Sequence, residues 1–215
     1  MPKIVDHQAR REEISEVAAK LIAAGGLDAA TFREVARSSG YSKGVIEHYF
    51  DNKDALIGGA LDWANHCYVQ RVAESTEELA GLAALRSRMV AILPLSKRIR
   101  DEWKVRMVFW SEAAISTSMR SGQAARFDMA VRMYSADLER AAALGEIDPP
   151  DDVEALAQRL FMSIVGACTL SLYNATRWGE EFLMTEVDHL LASIGEQVPS
   201  TLPQQEQHNG SWTGR

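Results

Sequence analysis

The chain has little of what most chemistries require. Its two cysteines, Cys67 and Cys168, are too few and too far apart for a disulfide framework or a zinc signature, so a reducing compartment is expected. The five histidines (His7, His48, His66, His189 and His208) show no H-x-x-x-H spacing. There is no glycine-rich phosphate loop and no G-x-S-x-G elbow. No metal, cofactor or catalytic residue is therefore expected, and the chain does not read as an enzyme. Six prolines and 14 glycines are too few for a collagenous or wholly disordered chain. No apolar run flanked by basic residues occupies the first turns of the sequence, so no signal peptide is expected. The most apolar stretch, 160–173, falls short of the roughly 20 residues a spanning helix needs. Basic excess is also missing: 23 Lys and Arg stand against 30 Asp and Glu, a net charge of −7 that excludes an all-over basic coat for nucleic acid or acidic membrane. The expectation is a soluble cytoplasmic protein with no membrane partner.

What remains is 215 residues, 47% hydrophobic and 25% charged, enough for one or two domains with a real core. Spacing of the helical kind runs through most of it, and strand-type alternation is nearly absent. Ile14, Val17, Ala18, Leu21 and Ile22 form one apolar stripe, ended by Gly25-Gly26. Short helices are predicted at 31–38 and 42–50, and a longer one at 53–75. A helix over 79–93 stops near Pro94, beyond which Trp103, Met107, Trp110 and Ala114 share a face. Helices at 122–144, 151–175 and 180–195 follow. After Gly195 the tail, 196–215, is too polar to offset the entropy of ordering it. The fold class is all-α, with about nine helices.

The two short helices carry the most information. Thr31-Phe32-Arg33-Glu34 is a capping box, in which Thr31 accepts from the Glu34 amide while Glu34 reaches back. Gly40 supplies the positive φ of a tight turn, and Ser42 and Asn52 are N-caps for the next two helices. Ser42, Ile46, Tyr49 and Phe50 fall on one side of the second helix; Lys43, Gly44, Glu47 and His48 fall on the other. Two helices joined by a glycine turn have the geometry of a helix-turn-helix, and equally of a plain helical hairpin inside a core. Charge does not separate the two readings, because residues 1–60 hold eight Lys and Arg against nine Asp and Glu.

The run from Thr31 to Leu56 closely resembles the DNA-reading segment of the TetR family of bacterial repressors. That family shows T-x-R-x-(I/V)-A, a glycine turn, S-K-G-x-(I/L)-x-x-(Y/H)-(F/Y) and (S/N)-K-(E/D)-x-L, and nearly every element stands here in order. The resemblance implies a DNA-binding head over 8–68, with its helix-turn-helix at 31–50. It implies phosphate contacts from Thr31, Tyr49 and Lys53, and a groove-facing set of Arg33, Lys43, Gly44, Val45, Glu47 and His48, with Ser42 opening the reading helix. Glu47 departs from the commoner residue at its position: it either accepts from cytosine N4 or is a solvated bystander.

More loosely, Ile92-Leu93-Pro94-Leu95, Glu102-Trp103, Phe109-Trp110 and the 119–144 helix resemble the C-terminal domain of the BetI-like branch, whose name-giving member responds to choline. This implies a ligand-binding and dimerisation body over 75–195. A homodimer interface would draw on Leu160, Phe161, Ile164, Val165, Leu172, Val187, Leu190 and Leu191, unless the apolar 160–173 run is the central helix of a monomer. Trp103, Met107, Trp110, Phe127, Tyr134, Cys168 and Asn174 are the pocket candidates, and each is also readable as core. Trp103 and Trp110 would suit a cage for a cationic ligand. The basic run Lys97-Arg98-Arg100 reads as a solvated helix face. The implied function is a dimeric repressor of a palindromic double-stranded DNA operator, released by a small-molecule effector. Two alternatives remain open: a TetR-like DNA-binding protein without an effector, or a helical scaffold that has lost DNA affinity.

Overall fold

A computed structural model describes residues 7–194. Among the described residues there are nine α-helices, one 3₁₀ turn (Leu27–Ala29) and no strand. The helices are α1 (His7–Gly25), α2 (Phe32–Ser39), α3 (Lys43–Tyr49), α4 (Lys53–Thr76), α5 (Gly81–Ile92), α6 (Lys97–Ile115), α7 (Thr117–Ala143), α8 (Val153–Tyr173) and α9 (Glu180–Ala192). The polar stretch 196–215 lies outside the described residues.

Local chemistry accounts for most of the boundaries. Ser42, Asn52, Ser96 and Asp152 each accept the amide three residues on, satisfying a donor that the first helical turn leaves free. Gly40, at φ 76°, closes α2 in the left-handed region, where a side chain would be strained. The capping box forms only in part: Thr31 accepts the Glu34 amide at 3.2 Å, but Glu34 turns its carboxylate to Arg37 at 2.8 Å. The backbone amide of Thr31 donates to the carbonyl of Ala29 instead. Helix α7 begins at Thr117, well before the predicted 122, because Ser116 alone separates it from α6 and the residues that follow carry no apolar stripe to reveal the helix.

Two hydrophobic clusters organise the chain. The first joins Ile14, Ala18 and Ile22 of α1 to Val35, Ile46 and Phe50 and to Leu56, Ala60 and Ala64 of α4, with Val105 and Phe109 of α6 closing it. The second gathers α5 to α9 around Trp103, Tyr134, Leu138, Leu160, Ile164 and Val187. Helix α4 packs on α1, α5 and α6 and so belongs to both. The basic run at the start of α6 is not simply a solvated face. Lys97 and Arg98 are exposed as expected, but the Arg98 guanidinium also lies over Trp63 and donates to Cys67 Sγ, while half-buried Arg100 donates to the carbonyls of Pro94 and Leu95. Helix α8 also departs from expectation. Its 21 residues are long and apolar enough, by length and composition, to cross a membrane, because the helix starts seven residues before the apolar run singled out in the sequence. One side of it packs against α7 and α9.

Gly59 sets how closely α4 approaches its neighbours. A Cβ there would stand 2.7 Å from Phe50 Cε1 and 2.9 Å from Ser15 Oγ. Gly59→Ala should therefore destabilise the protein by about 1–3 kcal/mol through overpacking. Gly58, with open space around it, should accept the same change with almost no loss. Urea denaturation of the two variants measures the difference.

Candidate nucleic-acid interface

Helix α3 is only seven residues long, and its neighbours hold it. Ile46 and Phe50 are fully buried in the first cluster, which fixes the rotation of the helix about its axis. At the C-terminal end Arg11 of α1 donates to the carbonyl of Tyr49 and lays its guanidinium over the Phe50 ring at 4.3 Å. A cation at that end also suits the helix dipole. His7, His48 and Tyr49 pack ring on ring at 5.2 to 5.9 Å. The turn before α3 is tied down from the same side, since the Tyr41 hydroxyl donates to Glu13 and the Arg10 guanidinium sits 4.5 Å over the Tyr41 ring. The Glu13 contact raises the Tyr41 pKa above its ordinary value.

With its apolar side committed, α3 turns Lys43, Gly44, Glu47 and His48 outward; all four are exposed, as is Ser42. Val45 and Tyr49 are half-buried at the margins. Arg33 is exposed on α2, while Thr31 is half-buried as its N-cap. Lys53, at the start of α4, forms an ion pair at 2.8 Å with Asp28 of the 3₁₀ turn, which lowers the Asp28 pKa. Glu47 is paired at 2.8 Å with Lys43 one turn earlier, so the acidic side chain sits against a cation of its own helix. Arg11, Asp28, Glu13 and Tyr41 are parts of this head that the sequence reading missed. Each works through a contact 25 to 38 residues away along the chain, and no local pattern marks such a contact.

The other predicted sites fare unevenly. Trp103, Trp110, Phe127, Phe161 and Tyr134 form a continuous edge-to-face chain with centroids 5.2 to 6.0 Å apart. Trp103 is fully buried and donates its indole N–H to the Ile92 carbonyl at 2.7 Å, so it has no face left for a cationic cage. Tyr134 and Cys168 are likewise buried, and burial pushes both pKa values up. Met107, Trp110 and Phe127 are half-buried. Asn174 does not join them: it is exposed at the end of α8, where its side chain accepts the Arg177 amide. Two surface clefts, of about 290 and 620 Å³, lie elsewhere and are lined by none of these residues.

The expected dimer contacts also need correction. Leu160, Ile164 and Val187 are buried in the chain's own second cluster and cannot meet a partner. Phe161, Val165, Leu172, Leu190 and Leu191 are half-buried around that cluster. On these two helices the large apolar residues left in solvent are instead Met162 (62% exposed), Leu170 and Tyr173 (76% exposed) of α8 and Phe182 of α9. An apolar pattern on all sides of a helix does not say which side a single chain covers.

Comparison with known proteins agrees with this geometry. A family model of bacterial regulatory proteins of the tetR family matches residues 14–59, and one of the BetI-type transcriptional repressor C-terminal domain matches residues 82–196. The chain is 23% identical over 195 residues to the HTH-type transcriptional regulator PksA of Bacillus subtilis, covering 90% of this chain and 94% of that protein. It is 26% identical over 126 residues to the regulator BetI of Paraburkholderia phymatum, covering 56% of this chain and 62% of that protein. Among solved structures it is similar to a transcriptional regulator from Rhodococcus (TM-score 0.71, 25% identity, 86% of this chain and 95% of that one). It is also similar to a transcriptional regulator from Saccharomonospora viridis in complex with choline (TM-score 0.76, 22% identity, 88% of this chain and 97% of that one).

Because α3 is so short, its first turn depends on Ser42, whose hydroxyl accepts the Val45 amide at 3.3 Å. Ser42→Ala should lower stability by about 1 kcal/mol, whereas Ser42→Asp should keep it. Thermal denaturation followed by circular dichroism tests both.

Proposed function

The chain belongs to the TetR family of bacterial regulatory proteins, which makes it a transcriptional regulator and not an enzyme, and from that premise we propose that it is a cytoplasmic, dimeric repressor. In this reading it binds a palindromic operator and is released by a small-molecule effector. The observation that carries the proposal is the outward face of α3: a helix locked in rotation by Ile46, Phe50 and Arg11 turns Lys43, Gly44, Glu47 and His48 to solvent. Gly44 lets the backbone come close to DNA, and a Cβ there would meet only Ser42 Oγ, at 4.0 Å. Thr31, Tyr49 and Lys53 are the proposed phosphate contacts, and Arg33, Val45, Glu47 and His48 the proposed base-edge contacts. The head is taken as 8–68 and the body as 75–195.

Pairing through the exposed stripe of Met162, Leu170, Tyr173 and Phe182 would present two heads to one operator, whose half-sites in such dimers lie about 34–36 Å, one turn of DNA, apart. Support for an effector comes from the choline complex of the Saccharomonospora relative. An effector acts only through its different affinity for the DNA-bound and released states, typically about 1–3 kcal/mol of coupling. Helix α4 spans both hydrophobic clusters and is the proposed transmitter. One observation favours a second reading, a DNA-binding protein without an effector: the buried Trp103 and Tyr134 fill the space between their own helices.

An electrophoretic shift on the DNA upstream of its own coding region tests the proposal, run at two salt concentrations because phosphate contacts make affinity fall with salt. Tyr49→Ala should weaken binding to every sequence by a similar factor, and Glu47→Gln should change which sequence is preferred. Equal loss on all sequences for Glu47→Gln removes its role as a reader. Met162→Asp together with Tyr173→Asp should yield a monomer in sedimentation analysis and abolish the shift, and an unchanged dimer would place the interface elsewhere.

A further inference from the structure

We infer that the body is built to hold an anionic effector, a small aromatic carboxylate gripped by Arg88 and Arg106. This rests on the reading of the chain as an effector-responsive regulator and names the chemistry of that effector.

The interior of the body contains guanidinium groups that its own residues do not satisfy. Arg88 of α5 is 8% exposed; its Nε and Nη2 donate to the Asp137 carboxylate at 2.7 and 3.2 Å, and its Nη1 has no partner. Arg106 of α6 is 5% exposed; its Nη2 donates to the Ala64 carbonyl at 2.7 Å, and its Nη1 also has no partner. Arg106 lies 5.7 Å from the ring of half-buried Tyr68, and both cations oppose the rise that burial gives the Tyr68 pKa. Buried donors without acceptors are uncommon in folded proteins, and a buried charged donor is the costliest kind.

Each buried guanidinium has one carboxylate nearby and still keeps a free nitrogen. Arg71, Arg106 and Arg98 stand 2.8, 3.6 and 3.8 Å from the single carboxylate of Glu102, which is fully buried. Arg88 is matched one to one by Asp137. Of the three cations around Glu102 only Arg106 is buried, Arg98 being 63% and Arg71 25% exposed, and burial holds the Arg106 pKa below its ordinary value. A quaternary ammonium has no acceptor to offer these free nitrogens, while a carboxylate would supply the missing acceptors to a planar donor fork. The half-buried rings of Phe161, Phe127 and Trp110, which follow one another from Tyr134 at 5.2 to 6.0 Å, are the aromatic surface that this proposal assigns to the ring of the ligand. Arg106 also holds α4 through Ala64, so an anion drawn to its free Nη1 acts on the same guanidinium that grips the helix leading to the head.

The test uses the full-length protein and titrates benzoate and phenylacetate against their neutral amides, benzamide and phenylacetamide, with choline as the cation. Calorimetry and tryptophan fluorescence read binding, and an electrophoretic shift of the same samples reads DNA release. At least one carboxylate should bind about tenfold or more tightly than its amide, a difference of about 1.4 kcal/mol. Choline should give no response. Arg106→Met and Arg88→Met should each remove the preference for the acid over the amide. The comparison of acid with amide needs no variant, so a misfolded variant cannot hide the result. Equal binding of acid and amide, binding of choline alone, or no binding of either carboxylate at millimolar concentration overturns the anion site. Protein that shifts DNA but ignores the carboxylates loses only this inference; protein that prefers the acids but never shifts DNA loses the repressor reading and keeps the site.

Discussion

A seven-residue helix has no independent stability in water, because one or two turns of hydrogen bonds do not offset the cost of starting a helix. Everything proposed for α3 therefore depends on the burial of Ile46 and Phe50 between α1 and α4. Those two side chains fix both the existence of the helix and which of its sides faces outward. Arg11 adds a second constraint by stacking on Phe50 while holding the Tyr49 carbonyl. The close approach of α4 at Gly59 leaves Phe50 no slack. The head is rigid because its smallest element is clamped by its two longest.

The same helix that clamps the head belongs to the body. Residues such as Leu56 and Ala60 of α4 lie in the first cluster, while Arg71, two turns beyond Ala64, pairs with Glu102 and donates to the Ala91 carbonyl at the end of α5. The contacts that tie α4 to α5 and α6 thus include charged hydrogen bonds beside the apolar ones to Val105 and Phe109, whereas those that tie it to α1 are apolar. Dispersion contacts fall away steeply when surfaces separate, but charged hydrogen bonds can exchange partners with little movement. A rearrangement of the guanidinium network is accordingly the cheaper way to shift α4.

Much of this was legible in the sequence, and the residues show why. Helix caps are local: Ser42, Asn52 and Gly40 announce themselves within three or four positions and appear where predicted. The apolar stripe on α1 likewise identifies its buried side, whereas on α6 the buried side runs through Glu102, Val105, Arg106 and Phe109 and takes only Trp103 from the predicted stripe, with Ala114 exposed. Partner choice is different. Nothing near Lys53 reveals Asp28, and nothing near Arg88 reveals Asp137, because those pairings arise when distant helices meet. Glu34 was expected to close its capping box, but Arg37, one turn along, offered a charged partner in place of a neutral amide. On α8, apolar residues all round concealed which side would be internal, and Leu160, Ile164 and Met162 were resolved only by the packing.

The outward face of the head has a further property. Its cations are already mated: Lys43 with Glu47, Arg37 with Glu34, Lys53 with Asp28. For a protein that settles on a duplex through this surface, each phosphate must displace a carboxylate before it gains a lysine or arginine. The displaced acid then stays close to a polyanion unless a base amine receives it. Random stretches of chromosome offer such a receiver only by chance. A sparingly charged, internally neutralised surface of this kind lingers little on the wrong sequence, and so spends less of its time occupied by the bulk of the genome.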